Sequence, residues 1–133
     1  MKEIIDKIIE KDFELRSILV KDEIYKESKE NDNEEIEYVL NAKYRIIDNK
    51  PNAIVIRVNT NSFFTPNAIF KADMEFNVFL GVDGELKDED IHDNIEEILS
   101  PLASEISCLL ATIIKSMKGR PLILPPVINK IEQ

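Results

Sequence analysis

From Ile36 to Ile46 every second position is apolar or aromatic. Ile36, Tyr38, Leu40, Ala42, Tyr44 and Ile46 share one parity, and Glu35, Glu37, Asn41, Lys43 and Arg45 take the other. A period of two predicts a half-buried β-strand, because successive side chains point to opposite faces. The alternation returns in Ile54, Ile56, Val58, Thr60, Ser62 and Phe64. It returns again in Phe70, Ala72, Met74, Phe76, Val78 and Leu80, with Lys71, Asp73, Glu75 and Asn77 outward. Asp48-Asn49-Lys50-Pro51-Asn52 and Thr65-Pro66-Asn67 supply turn chemistry between these strands. Phe13 to Tyr25 reads as a further strand, with Phe13, Leu15 and Leu19 on one parity and Ile18 and Val20 on the other. The polar tract Lys26 to Asn33 reads as a loop.

Beyond Asn94 the period changes. Ile95, Ile98, Leu99, Leu102, Ile106, Leu109, Leu110, Ile113 and Met117 form one stripe of an α-helix. The opposite side is small rather than charged: Ala103, Ser104, Ser107, Cys108, Ala111 and Thr112, with Glu105 the only charge between Glu97 and Lys115. Small residues permit close approach of another helix, so this side is the expected oligomer interface, in a homodimer or homotetramer. Asn94 and Glu97 have the spacing of a capping box. Pro101 either kinks the helix or restarts it. Gly119 is a natural C-cap, and Pro121, Pro125 and Pro126 forbid continuation.

The pattern therefore predicts an α+β fold: a four-stranded antiparallel meander sheet packed against one long C-terminal helix. As a single domain, 1–11 is an N-terminal extension forming a short helix around Ile4, Ile5, Ile8 and Ile9. Residues 12–82 are the sheet, 83–93 a flexible acidic linker, 94–118 the long helix, and 119–133 a proline-rich crossover and short tail. The tail, Val127 to Gln133, is too short for a stable second helix unless it docks.

Composition narrows the function. The chain has 133 residues and a net charge of −9, which argues against nucleic acid, since phosphate contacts need a basic face. No run approaches the ~18 consecutive apolar residues of a membrane helix. The acidic residues among the isoleucines of the first segment argue against a secretory signal. The lone Cys108 forms no intrachain disulfide and fits a reducing cytoplasm. His92, the only histidine, lacks the convergent partners a metal site needs and reads as part of a solvated loop. No phosphate loop, nucleophile elbow or pocketed carboxylate pair is present, so the chain reads as a non-enzyme without metal or cofactor. Acid is concentrated at Asp22–Glu37 and Asp83–Glu97. Such runs are either solvated faces or docking surfaces for a basic partner. Phe63 and Phe64 before Thr65-Pro66, Phe70, and Leu122-Ile123-Leu124 between prolines are the apolar groups expected at an open rim.

Three segments resemble the SecB protein-export chaperone family. The first is Ile95-Glu96-Glu97-Ile98-Leu99-Ser100-Pro101-Leu102-Ala103-Ser104-Glu105-Ile106-Ser107, with its proline inside the first turns of the helix. The second is Ser116-Met117-Lys118-Gly119-Arg120-Pro121-Leu122-Ile123-Leu124-Pro125-Pro126-Val127-Ile128-Asn129, similar to the family's helix-connecting loop. The third, looser, is Phe70-Lys71-Ala72-Asp73-Met74-Glu75-Phe76-Asn77-Val78-Phe79. The resemblance spans about Phe13 to Asn129. It implies an ATP-independent holdase that assembles as a dimer of dimers and binds unfolded or preprotein polypeptides in grooves beside the crossover. It makes Phe63, Phe64, Phe70, Leu122, Ile123 and Leu124 the client-binding candidates. It makes Glu34, Glu35, Glu37, Asp73 and Glu75 an acidic docking surface for a SecA-type motor. The second helix and acidic tail of longer members are nearly missing, which points instead to a solitary chaperone or one serving a toxin–antitoxin pair. A module dedicated to one extended tail, and a small-ligand binder using the concave sheet, are the competing functions.

Overall fold

The computed structural model describes residues 4–23, 37–65, 69–119 and 123–133. The three alternating segments form strands β2 (Glu37–Lys50), β3 (Ala53–Thr65) and β4 (Ile69–Val82), joined as antiparallel neighbours. Strand β1 (Ile8–Glu23) pairs antiparallel with β4, not β2, and a short strand β5 (Lys130–Glu132) runs parallel to β2. The order β1-β4-β3-β2-β5 is a Greek key with an added parallel edge, rather than a simple four-stranded meander. Each strand's hydrophobic parity specifies its buried face but not its neighbour. The free edge of β4 receives β1.

The isoleucine-rich start is the second departure. Among its described residues Ile4–Lys7 form a single 3-10 turn, and Ile8 already lies in β1 opposite Val82. A helix this short gains little by itself, whereas the edge of β4 offers a ready ladder. A bulge between Leu15 and Ser17 settles the mixed parity of β1. Phe13, Leu15, Ile18 and Val20 lie opposite Val78, Phe76, Met74 and Ala72, all on one face of the sheet. Leu19 lies opposite Asp73 on the other face.

The segment expected as a flexible linker is packed. Leu86 and Ile91 are buried, the latter on helix α1 (Asp88–Asp93). Asn49 donates its side-chain amide to the Leu86 carbonyl and to Asp88 Oδ1, both at 2.8 Å. Asn52, at the β2–β3 turn with a positive φ of 68°, donates its N–H to the Gly84 carbonyl and accepts from the Gly84 N–H through Oδ1. Asn49 at the end of β2 and Asn52 in the turn thus clamp the acidic run to the sheet.

Helix α2 (Ile95–Lys118) lies across the sheet face formed by Leu40, Ala42, Tyr44, Ile56, Val58, Met74, Phe76 and Val78. Ile98, Leu99, Leu102, Ile106 and Leu110 have no exposed surface. Each contributes roughly 1.5–3 kcal/mol by burial. By length and composition Ile95–Met117 also qualifies as a membrane-crossing helix; here its apolar stripe is spent on the sheet. Asn94 does not cap α2 with its side chain, which donates back to the Asp90 carbonyl at 2.8 Å. The capping box is absent because α1 runs almost directly into α2. Pro101 sits inside a continuous helix. It cannot donate to the Glu97 carbonyl, and that oxygen instead accepts from Ser100 Oγ at 3.0 Å and Lys11 Nζ at 3.4 Å. Gly119 closes the helix in the left-handed conformation, its N–H donating to the Lys115 carbonyl.

Candidate functional site: two grooves flanking the long helix

Because α2 crosses the middle of the sheet, it leaves a groove along each flank. On the β1 side the groove is about 460 Å³ and lined by Phe13, Leu15, Phe76, Ser104, Glu105, Cys108 and Leu109. Its floor is strand β1, whose Leu15 is 37% exposed, with Ile18 at 36% farther along the same face. On the β2 side a groove of about 280 Å³ runs between α2, at Glu96, Ser100 and Ala103, and the segment Pro126–Asn129 with Ile131. Among the described residues of the crossover segment, Ile123 is 93% exposed and Val127 58%.

Among the described residues of the crossover, Leu124 is the most deeply buried. Leu124 is buried in the core, and its carbonyl accepts from Ser107 Oγ at 2.8 Å. Val127 N–H turns back to the Pro125 carbonyl at 2.9 Å. The chain then reaches the edge of β2, where Asn129 and β5 pair.

The expected small-residue interface is only partly open. Ala103 is buried and belongs to the apolar stripe, one turn from Leu99 and beside Leu102 and Ile106. Ser107 is engaged by the crossover. Ser104, Cys108 and Thr112 are exposed, and Ala111 is half-buried. Ile114, not assigned to the stripe from the sequence, is buried. Met117, which was, is 45% exposed. An alanine is too small to reveal from periodicity which side it serves.

The client-binding candidates separate in the same way. Phe64 and Phe70 do not line an open rim. They pack edge-on at 5.2 Å, with Tyr38 5.4 Å from Phe64, and close the end of the core. Phe63 lies on the opposite sheet face across from Val39. Leu124 is core, Ile123 is open, and Leu122 lies outside the described residues. The signal that separates Ile123 from Leu124 is the Ser107 bond, which no local pattern announces.

Glu34 and Glu35 also lie outside the described residues. Glu37 is exposed at the start of β2. Asp73 accepts from Asn61 Nδ2 at 2.5 Å, and Glu75 is held by Arg16 at 3.1 Å and Arg57 at 3.4 Å. The outer sheet face is therefore a balanced polar surface at Glu75, not an uncompensated acidic one. It bounds a cleft of about 470 Å³ that includes Asn41, Lys43, Asn59, Asn61 and Glu132. His92 is no solvated loop residue: its Nδ1 lies 2.7 Å from Tyr44 Oη, and its Nε2 lies 3.3 Å from the Gln133 side chain. Among the described residues no group of three or more histidine, cysteine, aspartate or glutamate side chains gathers to hold a metal.

No protein-family model and no curated protein matches the chain. Solved structures do. One is the SecB-like chaperone Rv1957 of Mycobacterium tuberculosis, in complex with a ChAD peptide from the HigA1 antitoxin. It is 16% identical, with a TM-score of 0.65 over 86% of each chain. Another is a protein of unknown function from Streptococcus agalactiae, 12% identical, with a TM-score of 0.56 over 86% of this chain and 94% of that one. The fold of this chain is that of a SecB-like chaperone. The resemblance read from the sequence holds at the level of the fold.

Proposed function

We propose that this protein is an ATP-independent holdase that binds unfolded or secretory polypeptides on the β2 flank of α2. The observation that carries the proposal is the open side chain of Val127 on the wall of that groove, with Ile123 open four residues earlier in the same segment, because exposed apolar surface marks an interaction site. The neighbouring edge of β2 adds backbone donors and acceptors with which an extended chain pairs regardless of its sequence. The shared fold with a chaperone solved on a polypeptide supports a polypeptide ligand. The function needs no catalytic group and no cofactor, and it suits a cytoplasmic protein.

The β1 flank serves a different purpose in this proposal. Phe13, Leu15 and the open stripe of Ser104, Cys108 and Thr112 meet a second copy, giving a homodimer or a dimer of dimers. Separating the flanks keeps the client groove free in the assembly.

A second reading is favoured by the antitoxin peptide in the solved complex: a partner module dedicated to one extended tail. Both readings use the same groove. The test is light scattering of several unrelated aggregating proteins, without nucleotide, against wild type and the Ile123→Ser/Val127→Ser variant. Broad suppression that the double variant loses supports the holdase, and suppression of one client only supports the dedicated module. No suppression of any client, or equal suppression by the variant, overturns the assignment to this flank.

A further inference from the structure

The edge of β2 is partly occupied by the chain itself. Strand β5 lies parallel to it, with Lys130 opposite Asn41, Ile131 opposite Ala42 and Glu132 opposite Lys43. One residue earlier, Asn129 makes a two-point clamp on Leu40. The Leu40 N–H donates to Asn129 Oδ1 at 2.8 Å, and the Asn129 N–H donates to the Leu40 carbonyl at 2.7 Å. The side-chain amide oxygen takes the place of a strand carbonyl, so pairing extends one position beyond the ladder. Among the described residues β5 covers three positions of a strand that is 14 residues long.

This docking is shallow. Asn129, Lys130 and Glu132 are exposed, and Ile128 and Ile131 are only half-buried. Lys130 and Glu132 pair with each other at 2.6 Å, on the solvent side. The first deep anchor upstream is Leu124, separated from the docked strand by Pro125 and Pro126. The groove of about 280 Å³ lies between this segment and α2. Releasing residues 129–132 therefore frees the edge of β2 from Leu40 to Lys43, while Val127 stays tethered beside Leu124 and its Ser107 bond.

We infer that residues 129–132 are a built-in competitor: a short strand that occupies the client-binding edge of β2 and must leave for an extended polypeptide to pair there. The inference rests on the client site proposed above and adds its regulation. An apolar polypeptide pairing with a longer stretch of β2 replaces every bond the segment gives up. A peptide too short to reach past Asn41–Lys43 gains little over the resident strand. The apparent affinity is set by the fraction of molecules in which the segment is undocked. The device thus favours long extended clients over short ones.

A disulfide tests it in a single protein. Lys43 and Glu132 are directly opposed and exposed, within the spacing a cross-strand bridge tolerates. In a Cys108→Ser background, Lys43→Cys/Glu132→Cys is compared oxidised and reduced for binding of a fluorescently labelled, permanently unfolded polypeptide. The oxidised form is expected to bind at least about ten times more weakly. Asn129→Ala, which loosens the clamp, is expected to bind several times more tightly than wild type. Wild-type binding unchanged by either the lock or the loosened clamp overturns the inference and leaves the client site standing. A wild type that binds no unfolded polypeptide overturns both.

Discussion

The hydroxyl of Ser107 donates to the carbonyl of Leu124 at 2.8 Å, tying the middle of α2 to a residue 17 positions later. This bond makes Leu124 part of the core while its neighbour Ile123 stays in solvent. Ser107→Ala removes the donor from a part-buried carbonyl and is expected to cost about 1 kcal/mol. Amide exchange at Val127 and Asn129 should quicken more than exchange in β3. Unchanged exchange at both would show that the crossover is held by other contacts.

Ala103 and Ala111 are two helical turns apart with opposite fates, the first buried in the core and the second half-buried toward the open side. Ala103→Arg forces a charge into the sheet-facing stripe and should abolish folding, seen as loss of cooperative unfolding. Ala111→Arg should leave the fold intact and lower the mass measured by light scattering. A folded Ala111→Arg protein of wild-type mass would exclude this side of α2 from the assembly.

Leu110 has no exposed surface and sits in the stripe between Ile106 and Ile114. Leu110→Ala should destabilise the protein by about 2–5 kcal/mol, from lost burial plus a residual cavity. Denaturant unfolding measures the shift. A loss below about 1 kcal/mol would mean that α2 is not seated on the sheet as described.

Tyr38 is half-buried beside Phe64 and Phe70, and burial raises its pKa above the usual value, with the Ser62 hydrogen bond pulling weakly the other way. The folded state thus retains the phenolic proton where the unfolded chain begins to lose it. The associated stability is present below a pH of about 10 and lost as pH rises through the folded pKa. Tyr38→Phe should flatten the decline in unfolding free energy above that pH. An unaltered decline would assign it to Tyr44, whose pKa is likewise raised by burial, or to other groups.

Much of this arrangement is visible in the residue order. Alternation through Leu40–Tyr44, Ile54–Phe64 and Phe70–Leu80 marks the buried face of the three central strands residue by residue. That works because side-chain direction reverses at every position of a strand, whatever its neighbours. Gly119 ends α2 where its left-handed backbone requires. The candidate site was less legible. Ile123 and Leu124 are equally apolar and adjacent, and no alternation runs through the proline-rich segment to say which faces water.

The sequence by itself determined the strands, the long helix and their apolar faces, because these follow from the local geometry of the chain and the period of its apolar residues. Tertiary structure decided that β1 joins β4, that the bulge at Leu15 gathers four apolar residues of β1 on one face, and that Asn129 reaches Leu40. It also decided that the acidic run is held by Asn49 and Asn52. Each of these is a pairing between groups distant in the chain, chosen by which edge, carbonyl or cavity is left over once the local elements have packed.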